Sequence, residues 1–276
     1  MATTAPGSAT HQAAEAACNG AEIIFACGGD GTVHEALQGL VSEVGKPTAA
    51  LGIIPLGSAN ALARHLRLSF DPCEAALAQI SGAPHTIPVG KVVYGDQLRY
   101  FSVMAGAGPD GALVYNNIAT HKSRLGRFAY YLHAARLFVT SRFHPFEVEY
   151  SEAGSGRTVF QAAIGVMAVR VDDLGGLFSK LTESRASIHD PFLRLMILHP
   201  PALFSLPLWF VSSWFNLRRP NRFLSNLEAI TFSCRSTSGL AVHAQADGEW
   251  LGRIPIQVSL VPNALRIHLP RRKTPL

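Results

Sequence analysis

Gly28-Gly29-Asp30-Gly31-Thr32 is the segment that most narrows what this chain can become. An apolar run at 23–27 leads into it, and Val33, Ala36, Leu37 and Leu40 behind it share one face at helical spacing. Thr32 and Glu35 have the spacing of a capping box, which predicts a helix start there. Glycines between a buried strand and a helix let the backbone approach a ligand and turn N–H groups toward it. The helix N-terminus adds partial positive charge, so the turn suits a phosphate. Asp30 does not suit an anion by itself. It suits a Mg²⁺ shared between carboxylate and phosphates, or else a plain cap on a tight turn.

A second strand, 51–54, ends in Pro55-Leu56-Gly57-Ser58-Ala59-Asn60 and predicts a helix over 59–66. Gly57 permits close approach, and Ser58 can cap the helix or donate to a phosphate or ribose oxygen. Two such turns at the carboxyl ends of successive strands mark where open α/β sheets bind ligands. A further helix is announced by Asp71 as N-cap, Pro72 at the first helical position and Glu74 at the third. From 87 the pattern becomes strand-like, at 88–93, 99–104, 146–150, 159–169, 193–198, 228–234, 241–246, 254–261 and 264–269, with a long helix over 123–141. The expected fold is an α/β N-terminal domain over 1–86, a Rossmann-like parallel sheet, and a β-rich antiparallel sandwich over 87–276. The cleft between them is the expected site.

Composition excludes several classes. The 276 residues are 48% hydrophobic and 16% charged, enough for a large core and against disorder. The net charge of +5 includes Arg218, Arg219, Arg222 and the tail Arg271, Arg272 and Lys273. These bases suit an anionic lipid or phosphate as well as simple solubility, but no aromatics interleave them, which disfavours nucleic acid. Cys18, Cys27, Cys73 and Cys234 form no C-x-x-C pair, which predicts buried free thiols rather than zinc or disulfides. Residues 1–20 lack a signal-peptide pattern, and the apolar stretch 196–215 is broken by His199, Pro200, Pro201 and Pro207. The cytoplasm is the expected compartment. Within 202–215, Trp209, Phe210, Trp214 and Phe215 precede Arg218 and Arg219, so this segment reads either as a membrane-surface element or as a packed helix. His121 and His133 show no ligand spacing. Gly106-x-Gly108-x-x-Gly111 has Pro109 and Asp110 in its middle, and no acid lies about twenty residues on, so it is set aside as a dinucleotide loop.

GGDGTVHEAL and LGIIPLGSANALARHL together resemble the catalytic domain of diacylglycerol kinases, sphingosine kinases and their soluble bacterial relatives. FSVMAGAGPDGALV, KSRLGRFAYYL, Gly175-Gly176 and ADGEW extend the likeness in the family's order. The resemblance implies ATP-dependent phosphorylation of a lipid hydroxyl, of diacylglycerol or a similar lipid, with Mg²⁺, at or near the inner membrane surface. It places the nucleotide on Gly28, Gly29, Asp30, Gly31, Thr32, Val33 and His34, with Gly57, Ser58 and Thr3. Asp247 and Glu249 match the family's Asp-Gly-Glu, proposed to supply the base, although an Asp-Gly pair alone also suits a hairpin. Asp190, with carbonyls near Ser187 and Phe192, falls where relatives bind a structural Mg²⁺. His34 replaces a frequent Asn, Ser58 a Thr, Pro109 a Phe and Pro191 a Gly. The likeness begins almost at the family's second strand, so an expected functional form carries a further strand and an Asn-Pro-x-Ser-Gly loop. The rivals are an NAD kinase, whose family shares the Gly-Gly-Asp-Gly loop, and a non-catalytic lipid- or nucleotide-binding protein. The oligomeric state stays open, a dimer included.

Overall fold

A computed structural model describes residues 1–41, 49–119, 143–171, 187–201 and 223–271. The expected helix over 123–141, Gly175-Gly176 and the aromatic and arginine-rich stretch 202–222 lie outside them. The N-terminal part runs α1 (Ser8–Cys18), β1 (Ile23–Gly28), α2 (Asp30–Leu40), β2 (Ala50–Pro55), α3 (Ala61–His65) and α4 (Pro72–Ile80). There follow β3 (Ala83–Tyr94), β4 (Gln97–Phe101), β5 (Met104–Ala107), α5 (Pro109–Ala119), β6 (Phe146–Glu152), β7 (Thr158–Ala163) and β8 (Gly165–Val169). The chain continues through β9 (Leu193–Leu198), β10 (Leu224–Arg235), β11 (His243–Ala246), β12 (Glu249–Arg253) and β13 (Ile256–Leu269).

β1 and β2 are parallel, from Ile23 opposite Ala50 to Gly28 opposite Pro55. On its other side β2 meets β13, again parallel, at Arg266–Ala50 and Ile267–Leu51. β13 is antiparallel to β3 and β10, and the pairing runs on through all thirteen strands of the described residues. The α/β layer and the antiparallel, β-rich region are therefore stitched together by one strand. β2 is buried at every position, as its unbroken apolar run requires of a strand covered on both faces. β1 ends the sheet and leaves Phe25 41% exposed. Where β13 has left β2, Gln79 of α4 takes its place: its Nε2 donates to Ile53 O (2.8 Å) and its Oε1 accepts from Ile53 N (3.2 Å). This buried amide satisfies a backbone pair that would otherwise be orphaned.

One hydrophobic core joins α2 (Leu37, Leu40) and β2 (Leu51, Ile53) to Ile87, Val89, Met196 and Leu265. A second lies wholly among the later strands, around Phe101, Phe146, Leu195 and Phe232.

Several local expectations hold and others need correction. The α4 cap forms as read, with Asp71 accepting from Glu74 N at 2.8 Å and Pro72 at the first helical turn. The capping box does not. α2 begins at Asp30 with Gly29 as N-cap, and Glu35 instead accepts from Ala9 N (3.1 Å), capping the neighbouring α1. The strand expected at 99–104 is β4 and β5 separated by Ser102 and Val103, and 159–169 is β7 and β8 separated by Ile164. The two expected strands 254–261 and 264–269 are one, β13, which absorbs Pro262-Asn263 as an irregularity in its register with β3. α5 and β12 were not expected. Three of the four cysteines, Cys18, Cys27 and Cys73, are exposed; only Cys234 is a buried thiol.

Candidate functional site

The two glycine turns touch. Leu56 N donates to Gly28 O at 2.9 Å, and a Cβ on Gly57 would lie 2.5 Å from the Gly29 Cα, a separation no side chain tolerates. Asp30 fastens the pair: Oδ2 accepts from Asn60 N (2.8 Å) and Oδ1 from Ala61 N (2.7 Å). An acid of the first turn thus caps the helix of the second, a role that Asn60, left-handed at φ 49°, does not fill for its own helix. The Asn60 side chain is instead bound to Gly57, accepting from its N at 3.0 Å and donating to its O at 2.7 Å. Burial raises the Asp30 carboxyl above the ordinary range, its backbone donors oppose this, and the nearby Asp247 adds to the rise. Each Asp30 oxygen keeps acceptor capacity beyond its one backbone donor, which suits a cation or a water on a cation.

Gly28, Gly31 and Thr32 surround this clasp, and Ser58 is exposed beside it. A Cβ on Gly31 would meet nothing within 4 Å, so the approach from that side is open. Val33 is packed in the core and can offer only its backbone, and Thr3 is exposed near the chain start.

His34 points elsewhere. Only 2% exposed, its Nδ1 donates to Asp247 Oδ2 at 3.2 Å, while Gln38 Nε2 approaches its Nε2 at 3.4 Å. The carboxylate can only accept, which fixes that tautomer. One helical turn on, Gln38 donates to Tyr100 O (2.8 Å) and accepts from Tyr100 N (3.0 Å), so two residues of α2 clamp β4 and the 247–249 turn.

Asp247 is saturated. Oδ1 accepts from Val103 N and Met104 N, each 2.9 Å, and Oδ2 from Ser102 N (2.9 Å), Ser102 Oγ (3.3 Å) and His34. Burial works to raise its pKa, but the His34 and backbone donors outweigh it and hold the carboxyl below the ordinary range. Such a group is a poor proton acceptor. Glu249, two residues on, is exposed and has no partner among the described residues. Beyond it Trp250 Nε1 donates to His243 Nδ1 at 3.2 Å, and Tyr115 stacks on His243 with centroids 4.3 Å apart.

The candidate metal trio is brought together, but around a different cation. Asp190 Oδ2 accepts from Arg194 Nη2 (2.7 Å), Arg194 Nε (3.2 Å) and Ser187 N (2.9 Å), and Ser187 O accepts from Asp190 N. Phe192 lies under the guanidinium, 5.1 Å from it. A divalent ion does not fit here, since Arg194 already supplies the positive charge. Among the described residues no group of three or more His, Cys, Asp or Glu could hold a metal.

Asn60, Gln38, the Ser102–Met104 amides, Gln245 and Asp110 were not singled out by sequence reasoning. Only Asp110 left a local signal, the Pro-Asp pair of a helix start. Its strand–turn–helix setting is real, but the three glycines are packing devices: a Cβ on Gly106, Gly108 or Gly111 would meet Val166 O, Ile164 O or His243 O.

The model of the diacylglycerol kinase catalytic domain matches residues 1–92. A diacylglycerol kinase of Bacillus subtilis (strain 168) is 37% identical over 198 residues, 71% of this chain and 61% of that protein, so the match spans less than two thirds of the relative. One from Staphylococcus saprophyticus is 27% identical over 256 residues, 92% of this chain and 79% of that one. A diacylglycerol kinase structure from Bacillus anthracis str. Sterne has the same fold, with a TM-score of 0.64 at 18% identity, covering 97% of this chain and 83% of that one. Yeast NADH kinase shares the fold more distantly, with a TM-score of 0.51 at 12% identity over 90% of this chain and 61% of its own. In motif, in sequence and in fold, the chain is similar to diacylglycerol kinases, and its residues 1–92 match their catalytic domain.

Proposed function

We propose that this chain transfers the γ-phosphoryl group of ATP to the hydroxyl of a lipid, diacylglycerol or one of similar shape. One observation carries the reading: Asp30 clasps two glycine turns at the ends of adjacent parallel strands, and α2 ties that clasp through His34 to the Asp247–Glu249 turn. An anion-binding surface and a free carboxylate are thereby held on one rigid frame. Phosphoryl transfer needs little more from a protein than positioning and charge neutralisation.

In this mechanism Gly28, Gly29 and the free N–H groups of the first α2 turn at Asp30, Gly31 and Thr32 face the phosphates with Ser58, while Gly57, its N–H held by Asn60, lets them approach, Val33 and His34 hold the helix behind them, and Thr3 borders the nucleotide. Asp30 would hold Mg²⁺ directly or through water, and the ion, when bound, neutralises charge on the triphosphate. Asp247 fixes the turn, and Glu249 takes the proton of the acceptor hydroxyl as its oxygen attacks. No step passes through Asp190, Ser187 and Phe192, since Arg194 already neutralises the Asp190 carboxylate. Among the described residues no helix is long and apolar enough to cross a membrane. We place the enzyme in the cytoplasm, meeting its lipid at the inner membrane surface.

The test is radiolabelled ATP offered with a panel of lipids in mixed micelles and with NAD in parallel. Label in a lipid is the expected result. Label in NAD would replace the reading with an NAD kinase, and label in neither would leave a binding protein.

A further inference from the structure

We infer that Asp110 is a positioning residue for the Asp247-Gly248-Glu249 turn, acting through Gln245; the inference rests on the lipid kinase reading and adds a residue to it. Gln245 is 1% exposed and both ends of its amide are engaged: Nε2 donates to Asp110 Oδ2 at 3.1 Å, and Oε1 accepts from Gly248 N at 2.9 Å. Gly248 is the hinge between the saturated Asp247 and the free Glu249. Asp247 and Gly248 stand at φ 48° and 84°, two consecutive left-handed residues, and for Asp247 that conformation is strained and must be held from outside.

The relay has a defined polarity. A carboxylate only accepts, so Asp110 draws the NH₂ end of Gln245 toward α5 and leaves the carbonyl end facing Gly248. A reversed amide would set NH₂ against the Gly248 N–H, two donors face to face. Close packing prevents the side chains from sliding away: a Cβ on Gly106 would lie 2.8 Å from Asp110 Oδ2, and one on Gly111 would lie 2.2 Å from His243 O. Burial pushes the Asp110 carboxyl up to about 6, against its hydrogen bonds from Gln245 and Gly111, so the acceptor is ionised at neutral pH. The buried Cys234 thiol nearby is pushed up by burial and by Asp110 and stays neutral.

The experiment compares the parent with Asp110→Leu, Gln245→Met and Asp110→Asn, reading amide hydrogen exchange at Gly248 together with steady-state lipid phosphorylation. Asp110→Leu and Gln245→Met should speed Gly248 exchange and lower kcat by roughly tenfold or more, with the KM for ATP unchanged, because a turn displaced by a fraction of an ångström loses near-attack geometry. Asp110→Asn, which still offers an acceptor oxygen, should stay within about threefold of the parent, near the worth of one modest hydrogen bond. If Asp110→Leu does not fold, Gln245→Met decides alone, since it keeps the acid and removes only the relay. Gly248 exchange unchanged from the parent overturns the relay and leaves the kinase reading to stand on Glu249→Gln. Faster exchange with unchanged kcat overturns the positioning role, and with it the place of Glu249 in the reaction.

Discussion

Replacing Asp247 with Asn should cost this protein more in stability than any other single-atom change at the site. The carboxylate receives three backbone N–H groups, the Ser102 hydroxyl and His34, with no water-facing oxygen to spare. Asn keeps one oxygen. Its best placement retains Val103 N and Met104 N and turns NH₂ toward Ser102 N, leaving that buried N–H unpaired. His34 can change tautomer to accept, but the charge that strengthened every bond is gone. One unsatisfied donor costs about 1–3 kcal/mol, and weakening the remaining charge-assisted bonds brings the total to about 3–5 kcal/mol. Urea unfolding at pH 7 should show the midpoint falling by on the order of 1 M at unchanged slope. The sign with pH follows from a carboxyl held below its ordinary range. Its contribution is present above the unfolded pKa and is lost as pH falls through the folded one, so the gap to the parent narrows in acid. A loss under about 1 kcal/mol at pH 7 would show that Asp247 does not fasten the turn.

Asp30→Asn keeps one acceptor oxygen for a backbone N–H and sets NH₂ against the other N–H, so it should lower stability by about 1–3 kcal/mol and cut phosphoryl transfer far more, measured by urea unfolding beside initial rates. For Asp110 the pH sign is reversed: with the folded pKa raised to about 6, the folded state holds the proton more tightly. Stability should therefore fall as pH rises from about 4 to 7, by up to about 3 kcal/mol, and Asp110→Asn should flatten that part of the curve in pH-dependent melts. Because Arg194 neutralises Asp190, millimolar Mg²⁺ without nucleotide should leave the parent Tm unchanged in scanning calorimetry, and a rise that Asp190→Asn abolishes and Asp30→Asn does not would mean that a metal does enter there.

What the sequence showed and what it hid divide along the range of the interactions. β1, β2 and the α4 cap were readable because apolar runs, glycines and an Asp-Pro helix start act on their own neighbours. The glycine turns were found for the same reason, whereas the Asp-Gly-Glu segment, locally a hairpin signal, was found only through the family resemblance. The clasp between the turns was not, because Asp30 reaches the amides of Asn60 and Ala61, and a backbone N–H leaves no mark on a residue's identity. Thr32 and Glu35 misled because Glu35 had a better use on α1. β13 read as two strands because Pro262-Asn263 looks like a turn, and only its continuous partner β3 keeps it one. Separate roles for Asp247 and Glu249 required knowing that the Ser102–Met104 amides converge on the former.

The pairing of β13 with β2 has a consequence for how the protein is made. On the ribosome, the segments that carry both glycine turns emerge first, but Ala50 and Leu51 wait for Arg266 and Ile267 to be synthesised. Throughout that interval the start of an entirely apolar strand, at Ala50 and Leu51, has no strand partner on that side, although Gln79 can already cover Ile53. A missense change at a buried position within 256–269 would then disturb the clasped glycine turns without altering a residue in them, and in a cell it would register first as low yield and proteolysis.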